Sequence, residues 1–140
     1  FLASNRGDEV AIAHAGWHGI AAGVIENTVH RMRSSIAELV AWLGPAIGSC
    51  HFEVGEEVRA QVIDSEEGPL ANCFVATGNE KKYMADLSRI AMVKLQKLGI
   101  TNIYVDNTCT YCDADRFFSF RRDGKTGRMA CLIYIDGPVL

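Results

Sequence analysis

The sequence predicts an α/β or α+β domain built as a mixed β-sheet layered with helices. Three observations carry this. Short apolar runs with strand character alternate with stretches whose apolar residues recur at helical spacing. Gly and Pro punctuate the joins between them. A strong Asp-Gly turn signal at 123–124 stands between two apolar runs near the end of the chain.

The elements follow in order. Asp8 to Ala15 reads as a strand: Val10 and Ile12 alternate with small residues, and Gly16 ends the run. His14 would then share a face with Val10 and Ile12. From Gly19 to Arg33 the spacing of Ile20, Val24, Ile25, Val29 and Met32 predicts one helix, with Arg31 and Arg33 near its C-terminal end, where cations suit the dipole. Leu39 to Leu43 is a second strand, stopped by Gly44-Pro45, and "GPAIGSCHFEVG" reads as a structured loop of the kind that lines sites.

Glu56 to Ile63 predicts a short helix, and residues 64 to 83 a connection, with a short strand at Cys73 to Val75. Ala85 to Leu98 is the clearest helix, with Gly99 placed as its C-cap beyond Lys97, and Ile100 to Val105 follows as a strand. The chain should end in a hairpin that pairs Phe117 to Arg121 with Arg128 to Ile135 across "RDGKTG".

At 140 residues one domain, 1–140, is expected, long enough to bury roughly two thirds of the surface its unfolded form exposes. No apolar run approaches the ~20 residues of a membrane span, so no membrane partner is expected. A formal net charge of −3 gives no nucleic-acid footprint, although Arg121, Arg122, Lys125 and Arg128 form a local basic cluster suited to a small anion. The odd count of five cysteines, with Cys73 and Cys131 in apolar surroundings, suggests buried free thiols and a reducing cytoplasm. The first residues, Phe1-Leu2-Ala3, have neither an initiator Met nor a signal-peptide pattern, as expected of a piece of something longer or a processed product.

Four groups of residues bear on chemistry. His14 and His18 have the spacing that sets two imidazoles on one helix face for a metal, but Gly16 and the strand pattern before it argue against helix there. Cys109-Thr110-Tyr111-Cys112 is a C-x-x-C that suits a dithiol or half of a zinc ribbon. A ribbon needs a second such pair and the sequence has none, so two unlinked thiols are expected. Cys50-His51 places a thiol beside an imidazole, yet neighbours along a strand point to opposite faces. The basic stretch from Arg121 to Arg128 either grips a phosphate or is a solvated hairpin tip.

The ordered segments "AHAGWHG", "WLGPAIGSCHFEVG", "YMADLSRIA" and "CTYCDADRFFSFRRDGKTGRMA" span nearly all of the chain. They resemble the C-terminal part of the YfiH-type family, whose members are named multicopper polyphenol oxidases or laccases in one usage and purine nucleoside phosphorylases in another. The resemblance implies a fold shared distantly with a toxin cysteine-hydrolase domain. It also implies a zinc site to which His14 contributes one ligand, a His and a Cys from two other family motifs being absent from these residues. His18 stands where the family motif has Arg. The activity implied is phosphorolysis of adenosine, inosine, guanosine and methylthioadenosine to a free base and ribose 1-phosphate, with adenosine deamination beside it. Purine nucleoside and phosphate are then the partners, and Arg121, Arg122 and Arg128 the candidates for the anion. Missing two of three zinc ligands, the chain is expected to be inactive alone and to self-associate through the edge left exposed. Two alternatives are a copper-dependent polyphenol oxidase, for which four histidines are few, and a catalytically silent interaction domain.

Overall fold

The structure, a computed structural model, describes residues 1–63 and 68–137. In chain order its elements are β1 (Leu2–Ser4), β2 (Val10–Ala11), α1 (Trp17–Ala21), α2 (Val24–His30), β3 (Leu39–Leu43), β4 (Glu53–Gly55), α3 (Glu56–Ile63), β5 (Phe74–Ala76), β6 (Lys82–Ala85), α4 (Leu87–Lys97), β7 (Asn102–Val105) and α5 (Phe120–Asp123). This is a mixed α+β architecture with two sheets. By contacts the chain divides into two compact units. One comprises residues 1–44, 91–106 and the described part of 131–140; the other comprises 45–90 and 107–130.

The first unit is built on a four-stranded sheet of order β2-β1-β3-β7. β1 is antiparallel to both β2 and β3, whereas β3 and β7 run parallel, with Val40 opposite Asn102 and Leu43 opposite Val105. Leu2, Ile20, Ile25, Val29, Leu39, Ala41, Leu95 and Ile100 form its buried core. The expected strand at 8–15 shrinks to Val10–Ala11, because its partner β1 is three residues long. The expected single helix at 19–33 is two helices. Gly23 sits between them at φ +77°, a left-handed conformation that glycine adopts without steric cost, and the helical spacing simply resumes beyond it.

The second unit carries a three-stranded antiparallel sheet of order β4-β6-β5. α3 spans the residues expected of it and buries Val58, Val62 and Ile63. The short strand expected at 73–75 lies one residue on, at Phe74–Ala76, and β6, in the part expected to be connection, pairs with it. Residues 64–67 of that connection lie outside the described residues. Asp86 caps the start of α4 by accepting the Arg89 amide at 2.9 Å, so the helix begins two residues after Ala85. At the other end of α4, Gly99 takes φ +92°, as its predicted capping role requires.

The predicted terminal hairpin does not form. The Asp123 and Gly124 amides donate to Ser119 and Phe120 carbonyls at 2.9 and 2.8 Å, so the Asp-Gly signal closes the short helix α5, with Gly124 at φ +65°. No described residue from 128 to 137 is in a strand. Among the described residues no helix is long and apolar enough to cross a membrane.

Candidate metal centre

Within the second unit two loops meet at one place. Residues 46–52 form a tight turn in which the amides of His51 and Phe52 both donate to the Gly48 carbonyl, at 3.0 and 3.1 Å. Residues 109–113 form another, with the Asp113 amide donating to the Cys109 carbonyl at 3.1 Å. A single parallel bridge joins them: Ala46 pairs with Cys109, and the Thr110 amide donates to the Ala46 carbonyl at 2.9 Å. A turn at 49–51, within the stretch expected to be a structured loop, lets a thiol and its neighbouring imidazole point the same way, as they would not along a strand.

The side chains of Cys50, His51, Cys109 and Cys112 converge, their ligating atoms all within 4.8 Å of one another. Cys50 Sγ lies 3.8 Å from the sulfurs of both Cys109 and Cys112. His51 Nδ1 lies 3.2 Å from Cys50 Sγ and 3.4 Å from Cys112 Sγ. This corrects the expectation of two unlinked thiols: the pair that meets Cys109 and Cys112 is Cys50-His51 rather than another C-x-x-C. The Gly and Pro turn signals around residues 44–49 were the clue that this pair leaves strand geometry.

The surroundings hold these atoms in place. The Tyr111 ring stacks on the His51 imidazole, centroids 3.9 Å apart and planes at 12°. Burial pushes the Cys109 thiol up, but amides outweigh it: the Gly48 N–H, 3.1 Å from the sulfur, and those of Cys112 and Tyr111 bring it down to about 6. The hydrogen bond to Cys109, then burial, then the bond to Cys50, push the Cys112 thiol up to about 11. A cleft of about 310 Å³ opens beside Cys50, bordered by Asp86 and Arg89. Such a set of three soft sulfurs and one imidazole can hold a metal ion.

The arginines expected to face an anion divide by environment. Arg122 is committed to the protein: Nε and Nη2 hold Asp123 at 2.8 Å each, Nη1 donates to the carbonyls of Thr110 and Tyr111, and Nη2 also donates to the Phe117 carbonyl. Arg121 is exposed, donates to the Glu53 carbonyl at 2.8 Å, and lies over the Phe52 ring. Arg128 is exposed and bonds locally to the carbonyls of Thr126 and Gly127.

In the first unit His14 is exposed and precedes α1, while His18 lies within that helix and stacks on Trp17 at 3.5 Å between centroids. One helix face therefore does not carry both imidazoles. Gly16 stands close to the His14 ring, where a Cβ would come within 3.1 Å of Nε2. His14 is not part of the metal-competent set found among the described residues. Of the thiols expected to be buried, Cys73 is and Cys131 is exposed.

The family model described as multi-copper polyphenol oxidoreductase laccase matches residues 1–136. A protein named purine nucleoside phosphorylase from Pseudomonas aeruginosa is 43% identical over 130 residues, which are 93% of this chain and 53% of the relative. Purine nucleoside phosphorylase YfiH of Escherichia coli is 44% identical over 135 residues, 96% of this chain and 54% of the relative. The crystal structure of a Neisseria meningitidis protein matches with a TM-score of 0.91 at 40% identity, covering 97% of this chain and 55% of that one. YlmD from Geobacillus stearothermophilus matches with a TM-score of 0.69 at 31% identity, covering 80% and 43%. The chain spans about half the length of the curated relatives it matches.

Proposed function

The chain belongs to the family described as multi-copper polyphenol oxidoreductase laccases, and from that membership we propose that the protein, at its family's full length, is a purine nucleoside phosphorylase. The carrying observation is the 43–44% identity, over more than nine tenths of this chain, to relatives that bear that name. The reaction joins phosphate to the ribose C1′ of adenosine, inosine, guanosine or methylthioadenosine as the bond to the purine breaks. Ribose 1-phosphate, or 5-methylthioribose 1-phosphate from methylthioadenosine, leaves together with the neutral base, whose released ring nitrogen takes up a proton. Adenosine deamination is a second proposed activity.

The arginines contribute unequally to this reading. Arg121 and Arg128 are exposed and suited to meeting a phosphate. Arg122, with its guanidinium bonded on every nitrogen, shapes the loop beside them. The zinc that the resemblance assigns to His14 does not fit the described residues, because one imidazole stands where a catalytic zinc takes three protein ligands. No step is therefore routed through it, and the remaining ligands are proposed to come from the half of the family's length that this chain does not span. Residues 1–140 are accordingly read as part of a larger catalytic domain, working in the cytoplasm, where five unpaired cysteines are at home. Leu132 and Tyr134, 84% and 77% exposed, make self-association of the 140-residue chain part of the same proposal.

Phosphate-dependent release of hypoxanthine from inosine tests this. Activity is expected in a protein of full family length and absent from the 140-residue chain. No release at full length, under any phosphate concentration, removes the phosphorylase reading; equal release by the shorter chain removes the role given to the other half. Light scattering should find the 140-residue chain larger than a monomer, and a strictly monomeric species counts against association.

A further inference from the structure

We propose that Cys50, His51, Cys109 and Cys112 form a four-ligand zinc site that staples the 46–52 and 109–113 loops of the second unit together. This site is separate from the catalytic zinc associated with His14 and stands whether or not the protein is a phosphorylase.

Geometry carries the proposal. In a tetrahedral site with zinc about 2.3 Å from sulfur and about 2.0 Å from nitrogen, sulfur–sulfur edges are about 3.8 Å and sulfur–nitrogen edges about 3.5 Å. The observed edges are 3.8 and 3.8 Å between sulfurs, and 3.2 and 3.4 Å between Nδ1 and sulfur. The remaining pairs, Cys109 with Cys112 and with His51, also lie within 4.8 Å. The four measured edges are thus close to those of one tetrahedral site, and the other two pairs are near enough for the same ion to complete it.

Chemistry selects the metal and the role. Three thiolates and one imidazole in tetrahedral disposition are a structural zinc set, with no position left for water. Each thiol that binds releases its proton to solvent, so uptake is accompanied by acid release. The sequence separation also fits a staple. One ligand pair comes from residues 50–51 and the other from 109–112, so the ion closes a loop of nearly sixty residues that the Ala46–Cys109 bridge and the Gly48 amide on Cys109 Sγ otherwise fasten at this point.

The outer shell is already arranged for ligation. The Gly48 N–H points at Cys109 Sγ from 3.1 Å, the Tyr111 ring fixes the plane of His51, and Arg122 holds the carbonyls of both residues between Cys109 and Cys112. Supporting contacts of this kind accompany metal ligands and set their orientation. Gly48 is confined by the same arrangement, because a Cβ there would stand 3.2 Å from Cys109 Sγ and 3.3 Å from Cys50 Sγ.

The test uses the whole 140-residue chain, prepared under reducing conditions and assayed for zinc by elemental analysis and for ligand type by cobalt substitution. One equivalent of zinc per chain is expected, and cobalt(II) should show thiolate-to-metal charge transfer with the visible bands of a tetrahedral site. Three of the five cysteines should be shielded from a thiol reagent until a strong chelator is added. Cys112→Ser, at an exposed position, and His51→Ala should lose the stoichiometric zinc while keeping the wild-type far-ultraviolet circular dichroism. His14→Ala should keep both the zinc and the cobalt spectrum, which separates this site from the one proposed for catalysis. Absence of bound zinc, an octahedral cobalt spectrum, or undiminished zinc in a Cys109→Ser/Cys112→Ser double variant would each overturn the proposal.

Discussion

Arg122 Nη1 donates to the Tyr111 carbonyl at 2.8 Å, and the Tyr111 ring in turn lies flat against His51. A guanidinium that the family resemblance makes a candidate for an anion is thus part of the support beneath a C-x-x-C turn. Arg122→Met should keep all four ligands yet bind zinc about tenfold more weakly, as outer-shell losses do. Arg122→Lys should not rescue it, since one ammonium cannot reach the Thr110, Tyr111 and Phe117 carbonyls together. Competition with a chromophoric chelator measures the change; an affinity equal to wild type would show that Arg122 does not position the site.

Gly48 offers a second handle on the same geometry. Because a Cβ would sit 3.2 Å from both Cβ and Sγ of Cys109, Gly48→Ala forces those atoms to give by a few tenths of an ångström. Overpacking of this kind costs about 1 kcal/mol or more. Faster zinc release and a lower melting temperature than wild type are the expected outcomes, with the larger Gly48→Val worse on both counts. Unchanged zinc release in Gly48→Val would mean that the turn has room the distances deny.

Legibility in the sequence followed the range of the interactions involved. α3 and β3 were readable with their limits because local apolar spacing and flanking Gly and Pro determine them. β1 was not, since three residues Leu-Ala-Ser carry no period and become a strand only by pairing with Val10–Ala11 and Leu39–Leu43. At Asp123-Gly124 the local signal was real but ambiguous: a residue at positive φ ends a helical turn as readily as it turns a hairpin, and the Ser119 and Phe120 carbonyls decided between them. The metal-competent cluster was not legible as one site. Cys109-x-x-Cys112 and Cys50-His51 each stand out, but the first reads as two unlinked thiols, because the two pairs, some sixty positions apart, meet through the Ala46–Cys109 bridge, which no local pattern encodes.

In the first unit Lys94 Nζ lies 2.7 Å from Glu26 Oε1, and the two side chains are only 15% and 30% exposed. Glu26 Oε2 is buried with no hydrogen-bond partner, so Lys94 is the principal compensation for that carboxylate. Lys94→Met leaves the charge uncompensated and should destabilise the fold by about 2 kcal/mol, as loss of a charged hydrogen bond to a shielded group does. Lys94→Met combined with Glu26→Gln should recover part of this. Urea denaturation of the four proteins of the cycle gives the coupling, and additive single effects would show that the pair is solvated.

Glu9 gives the first unit a definite acid sensitivity. Its carboxylate accepts the Arg33 amide at 2.8 Å, and the Ser34 hydroxyl and amide at 2.7 and 2.8 Å, tying the start of β2 to the turn after α2. The Arg33 amide, then the Ser34 hydroxyl and amide, hold this carboxyl down at about 2, against an ordinary 4.5. A carboxyl depressed on folding adds stability that is fully present above the unfolded value, and that stability is lost as pH falls from about 4.5 toward 2. Glu9→Gln should therefore be less stable than wild type at neutral pH, with the two melting temperatures converging across that window. A difference that stays constant from pH 6 to pH 2 would assign the effect of Glu9 to packing rather than to its charge.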